Sequence, residues 1–244
     1  MDHDEEIEIG KRINAALSNL RDAQFRMGMT GRWHLGIARK IAEANSVDNP
    51  RLQTFDNEDE ETRYLVNLPG LISAIEVQDA KCAELWAIST LDSQTRYQIE
   101  HGDLCSLLLQ LRFWLRSYER SVREPNKPLL EEAKTLVAEP CDAAYVKNVE
   151  NHLRLRLRDY IELEEGIDAT LEQLDSLRDE LTEAHYEFAV QCAQEFNDFE
   201  QTTIDCALSA MRRAANTFDY SRGYRFMNYA KHWIYNAIQQ QDKG

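Results

Sequence analysis

The stretch FDYSRGYRFMNYAKHWIYNAI, Phe218 to Ile238, sets rings and cations side by side. Seven of the chain's 22 aromatic residues lie in it: Phe218, Tyr220, Tyr224, Phe226, Tyr229, Trp233 and Tyr235. Arg222, Arg225 and Lys231 are interleaved with them. Flat rings offer stacking faces to unpaired bases, worth about 1–3 kcal/mol per base, and arginines neutralise backbone phosphates. The chemistry implied is non-covalent capture of single-stranded nucleic acid. If residues 222–240 form one helix, Arg222, Phe226, Tyr229, Trp233 and Asn236 follow one another at steps of three or four, with Arg225 beside them. The competing reading is that the rings are core, the usual place for an aromatic stripe. The interleaved cations, which resist burial, weigh against it. Gly223 allows a backbone angle closed to other residues, or the close approach of another backbone, or is a plain turn residue before the helix.

Charge is distributed to the same end. Between Met211 and Lys231 lie Arg212, Arg213, Arg222, Arg225 and Lys231 against the single acid Asp219. That window carries +4 in a chain of −15, leaving −19 elsewhere. The acidic bulk repels nucleic acid, whereas a local basic patch binds it. Signatures of other chemistry are missing from the sequence: there is no H-E-x-x-H, phosphate-binding glycine loop, G-x-S-x-G or dinucleotide fingerprint. The six histidines do not sit with cysteines or carboxylates at ligand spacing. The five cysteines are widely spaced without a C-x-x-C, and read as reduced thiols packed as small apolar residues. Neither an enzyme, a cofactor nor a metal is expected.

The elements that position these residues read as helices. The chain is 43% apolar and 29% charged with only 9 Gly and 5 Pro, a composition for a folded, mostly helical protein. At the start, Ile9, Ile13, Ala16, Leu17 and Leu20 recur at helical spacing behind an acidic entrance. MTGRWHLGIARKIAEAN adds a short helical run after two glycines. Residues 46–61, SVDNPRLQTFDNEDEE, read as a solvated acidic loop, or else as an acidic contact surface. Helices resume over 62–124, one opening at Pro69 and Gly70 with Leu71, Ile75, Cys82 and Leu85 on its apolar face. DLCSLLLQLRFWLRSYERSV reads as a buried helix. Pro128 and Pro140 are placed in the first turns of following helices. Helical runs over 143–196 carry Leu153, Leu157, Tyr160 and Ile161, then Leu171, Leu174, Leu177, Leu181, Ala184 and Phe188. After the loop NDFEQ, a helix is expected with Ile204, Leu208 and Met211 on one face. No apolar run approaches a membrane span and the acidic N-terminus is unlike a signal peptide, so a cytoplasmic protein is expected.

The 218–238 stretch resembles the promoter-melting segment of the bacterial sigma-70 family, whose pattern is close to F-[DE]-Y-R-R-G-Y-K-F-S-T-Y-A-x-W-W-I-R-Q-A-I. F-D-Y, R-G-Y, F, Y-A, W-I and A-I recur in register. Upstream, LTEAHYEFAVQCAQEF is similar to the family's L-V-E-A-N-L-R-L-V-x-S-I-A helix, and IDCALSAMRRAANTF to the polymerase-binding I-Q-E-G-N-I-G-L-M-K-A-V helix. DEEIEIGKRINAAL is similar to the family's E-I-x-I-A-K-R-I-E helix. Residues 45–160 match no segment by sequence and resemble, in position, the family's variable insert. The chain departs from the pattern at His232, where the first of two paired tryptophans stands, at Asn236, where a glutamine stands, and at Tyr235 and Gln240, which replace basic residues. It departs again at Asp205, Cys206 and Ala207, which replace Q-E-G.

The resemblance implies an all-α, sigma region 2-like fold with a helical insert, divided as 1–44, 45–160 and 161–244. It implies a non-enzymatic subunit that joins core RNA polymerase at its beta-prime clamp and melts the promoter −10 element by capturing non-template bases. Tyr229 matches the aromatic beside the flipped adenine, and Trp233 the second tryptophan at the upstream fork, next to His232. Asn236 and Gln239 match positions that read the first −10 base pair. Arg213, Tyr220, Tyr224, Arg225 and Phe226 match the single-strand path, and Arg222, on the same expected helix face, is counted with the DNA-binding residues. Ile204, Asp205, Cys206 and Leu208 fall on the polymerase-binding helix. The alternative is a sigma-derived interaction protein that binds polymerase or a regulator without opening promoters; a plain helical scaffold is a third reading. The family's −35-reading domain has no counterpart here, so that domain is expected either on a longer chain or not to be required.

Overall fold

The computed structural model describes residues 3–88, 90–114, 122–139, 142–196, 200–218, 220 and 223–241. Arg222, Asp219, Pro140 and Cys141 lie outside the described residues. Among the described residues the fold is all-α, with one isolated antiparallel bridge between Leu52 and Phe113. Its helices are α1 (His3–Phe25), α2 (Gly28–Ala44), α3 (Glu58–Ile88), α4 (Leu91–Leu109), α5 (Glu124–Ala138), α6 (Ala143–Leu153), α7 (Leu157–Glu183), α8 (Tyr186–Gln194), α9 (Gln201–Ala215) and α10 (Phe226–Gln241). No described helix is long and apolar enough to cross a membrane. The chain forms two compact units, one of Met1–Leu20 with Asp168–Gly244 and one of Arg21–Ile167.

In the 21–167 unit, α3 packs against α2 and α4, and α2 against α6. Its core joins Leu35, Ala38 and Ile41 to Leu68, Ile72, Ile75, Cys82 and Leu85, and to Tyr97, Leu104 and Leu108. α3 starts at Glu58, not at Pro69, and Pro69 lies inside it. The acids Glu58, Asp59, Glu60 and Glu61 form its first turn, where a helix dipole favours negative charge, so the acidic run is a helix entrance and only its earlier part is loop. The apolar run after Asp103 is not one helix. α4 ends at Leu109, Arg112 turns left-handed at φ 57, and Phe113 bridges to Leu52. Pro125 takes the first turn of α5, whereas Pro128 sits further in. Helix α6 stops at Arg154, φ 54, whose guanidinium grips both oxygens of Asp79 at 2.5 and 3.1 Å.

His34 sits inside this core, with ring centroids 5.4 Å from Phe25, 4.9 Å from Trp33 and 5.2 Å from Phe113. Its Nδ1 donates to the Thr30 carbonyl at 2.7 Å. Burial lowers its pKa to about 4 from 6.5. The folded value lies below the unfolded one, so stability is complete above about pH 6.5 and falls as pH drops toward 4, where only the unfolded chain takes up the proton. At 1.36 kcal/mol per unit the loss reaches about 3 kcal/mol. Urea unfolding at pH 7 and near pH 4 is expected to show it, and His34→Phe to lose that share of the acid sensitivity.

The other unit carries the cationic stretch. α9 packs on α8 and α10, and α10 on α8. From α1, Ile9, Ile13, Ala16 and Leu20 are buried, as their spacing predicts. Leu174, Leu177 and Leu181 are buried on α7, which ends at Glu183; α8 then restarts at Tyr186 and buries Ala189, Cys192 and Ala193. On α9 the buried face is Ala207, Ala210, Met211, Ala214 and Ala215, so Ile204 and Leu208 stand half-buried beside the core stripe instead of forming it. Small residues there let α9 lie close to its neighbours.

Candidate nucleic-acid interface

Helix α10 is built on a four-residue repeat. Phe226, Ala230, Ile234 and Ile238 are all fully buried, at most 1% exposed. Residues four apart drift by only about 40° around a helix, so this repeat makes one narrow apolar stripe. The other positions from 227 to 240 are half-buried or exposed. Tyr229 and Trp233 are half-buried, while His232, Asn236 and Gln239 are exposed. The expected single face of Arg222, Phe226, Tyr229, Trp233 and Asn236 is therefore corrected at Phe226. Its ring packs edge-on against His185 at 5.4 Å and Phe218 at 5.2 Å and is not presented to a strand.

Tyr229 and Trp233 remain together, with ring centroids 6.3 Å apart. Tyr229 is backed by the Phe218 ring at 5.6 Å, and its hydroxyl lies 3.0 Å from Thr217 Oγ1. These contacts fix the ring's plane. Neither Thr217 nor Phe218 stood out in the sequence as a support for Tyr229, because the contacts cross a turn. Asn236 and Gln240 extend the same face by helical spacing, with His232 and Gln239 flanking it.

The loop before α10 contributes less evenly. Tyr224 is 64% exposed. Gly223 has φ 71, its N–H donates to the Tyr220 carbonyl at 3.1 Å, and a Cβ there would meet nothing within 4 Å. Its role is thus the left-handed turn and not close approach. Close approach falls to Gly10 instead: a Cβ on Gly10 would land on the Tyr220 ring, 2.9 Å from the Tyr220 Cβ. Tyr220 is accordingly half-buried against α1.

The cations divide in the same way. Arg212 and Arg213, in the last turn of α9, are exposed, and no ion pair among the described residues uses them. Lys231 sits 3.8 Å from Glu195 and 5.0 Å above the Tyr235 ring, and the Tyr235 hydroxyl donates to Glu195. Tyr235 also packs on Phe196, so it belongs to a local brace. Arg225 reaches Glu6 of α1 at 3.7 Å. On the face assigned to polymerase, Asp205 is exposed and accepts from Gln201 Nε2 at 2.9 Å, while Cys206 is half-buried and Ala207 fully buried.

Thiol chemistry is held back at Cys82, Cys105 and Cys192. Burial pushes the Cys82 and Cys192 thiols up to about 11 and Cys105 to about 12, so a thiolate is scarce at neutral pH even where Cys105 Sγ lies 3.6 Å from His101 Nδ1. No protein-family model matches the chain. No curated protein matches it either.

Proposed function

We infer that the chain binds unpaired nucleic acid along the outer face of α10, and that it does so as a sigma-like subunit capturing the non-template strand of a promoter −10 element with core RNA polymerase. The observation that carries this reading is the adjacent, partly exposed pair Tyr229 and Trp233, with Tyr229 backed by Phe218, on a face continued by Asn236. Opening a duplex costs a few kcal/mol of unstacking per base, and paired rings return part of it. Arg213, exposed and in no ion pair among the described residues, supplies a cation for the phosphates. The register of residues 218–238 on the sigma-70 pattern supplies the particular strand and partner. Under this reading the protein makes and breaks no bond, and its place is the cytoplasm.

Binding of a fluorescent single-stranded −10 oligonucleotide, alone and with core polymerase, tests it. Tyr229→Ala and Trp233→Ala are each expected to weaken binding by about 1–3 kcal/mol, roughly 5- to 150-fold, with the fold retained. Unchanged binding in both variants would sink the strand-capture reading, and failure to associate with core polymerase would sink the sigma assignment. A second reading, a sigma-derived protein that occupies polymerase or a regulator without melting DNA, is favoured by the α9 surface, where Asp205 is turned to Gln201 and Ala207 is buried. Polymerase association without oligonucleotide binding would select it.

A further inference from the structure

Helix α1 delivers a carboxylate to the head of α10. Glu6 is 1% exposed. Its Oε1 accepts the Phe226 N–H at 2.5 Å, the first turn of α10, where backbone donors lack helical partners. Its Oε2 lies 3.7 Å from an Arg225 terminal nitrogen and 3.8 Å from His185 Nε2. Among the described residues, Glu6 Oε2, Arg225 Nε and His185 Nε2 are all buried without a hydrogen-bond partner. The His185 Nδ1 donates to the Leu181 carbonyl at 2.7 Å, which fixes the ring with Nε2 toward the carboxylate. A buried carboxylate needs a counter-charge, and among the described residues the Arg225 guanidinium is an arginine within reach of it. The Arg225 side chain is nevertheless 42% exposed, on the same loop as Tyr224 and next to the strand-binding face. It is shared between an internal anion and the surface.

We propose that Glu6 is a charge-setting residue of the strand-binding face: its buried carboxylate holds Arg225 as an internal counter-ion and so withholds that guanidinium from a strand phosphate. The inference rests on the strand-binding reading of α10. Helix α1 thereby regulates how many phosphates the face engages, and Glu6 acts through Arg225 without touching the strand.

The test is the salt dependence of binding by the whole chain to a fluorescent single-stranded oligodeoxynucleotide at fixed pH. Glu6→Gln keeps an acceptor for the Phe226 N–H but removes the charge. It is expected to bind more tightly at low salt, with the slope of log affinity against log salt steeper by about 0.7, the increment for one added phosphate on a single strand. From about 50 to about 200 mM salt this is an extra loss of about 2.6-fold. The double variant E6Q/R225Q is expected to return to the wild-type slope. A cooperatively melting E6Q protein with unchanged slope or weaker binding overturns the proposal, as does a steep slope that persists in the double variant. If E6Q does not fold, side-chain NMR of the wild type decides: the Arg213 signal is expected to shift as oligonucleotide is added and Arg225 to stay, and an equal shift at Arg225 overturns the proposal. Wild-type protein that binds no oligonucleotide overturns the strand-binding reading itself, and with it this one, whereas wild-type binding with an unaltered E6Q slope overturns this one alone.

Discussion

Phe226→Ala is expected to lower unfolding free energy by about 3–5 kcal/mol, the usual cost of removing a fully buried ring. That is a large share of the roughly 5–15 kcal/mol that holds a folded protein together. The ring is 0% exposed and meets His185 and Phe218 edge-on. Its removal opens a cavity at the head of α10, next to the Glu6 contact with the Phe226 N–H. Urea unfolding of the wild type and the variant measures the effect. The contrast with Tyr229→Ala is diagnostic, since Tyr229 is half-buried and its loss is expected in strand binding far more than in stability. A Phe226→Ala protein that unfolds like the wild type but has lost strand binding would put this ring back on the strand path and refute its core assignment.

That contrast shows where the sequence was readable. The buried positions of α1 follow directly from Ile9, Ile13, Ala16 and Leu20, and the all-α class from long helical periodicity with few Gly and Pro. On α10 two patterns overlap. Steps of three and four from Phe226 to Tyr229 and Trp233 suggested one aromatic face, while the strict step of four through Ala230, Ile234 and Ile238 marks the core. Ring size drew the eye to the wrong stripe; the small Ala230 and the two isoleucines define the right one. Pro69 misled for a different reason. A proline ordinarily starts or breaks a helix, but here α3 continues past it, with Leu68 and Ile72 buried on either side. The tertiary packing of that face outweighs one missing backbone bond. Contacts across great sequence distance left no local trace at all. Glu6 and Phe226 are 220 positions apart, and nothing near either residue announces the other. Gly10 is similar, since its need for glycine comes wholly from the Tyr220 ring.

Glu164→Ala is expected to destabilise the 21–167 unit by about 3–5 kcal/mol, because it takes a bonded carboxylate away from a buried cation. Arg123 Nε donates to Glu164 Oε2 at 2.6 Å, and both side chains are 5% exposed. A second guanidinium nitrogen lies 3.5 Å from the Glu164 carbonyl oxygen, so the arginine is fixed to the backbone of α7 as well as to the carboxylate. Arg123 immediately precedes α5, so the pair ties the start of that helix to α7. Tyr160 is also buried one turn before Glu164, and burial raises its hydroxyl pKa, so it is a neutral neighbour of the pair. Removing the carboxylate leaves a guanidinium that cannot shed its proton at any ordinary pH. Removing both charges is a different matter. The pair's mutual attraction is largely offset by the cost of taking two ions out of water, so Arg123→Met with Glu164→Leu is expected to be near neutral or more stable than the wild type. Urea unfolding of the single and double variants, in a Trp233→Phe background that leaves Trp33, Trp86 and Trp114 as reporters, measures both. A single variant within about 1 kcal/mol of the wild type would mean that Arg123 finds water or another acceptor on losing Glu164, and the interior at this point would then be far wetter than its 5% exposure indicates.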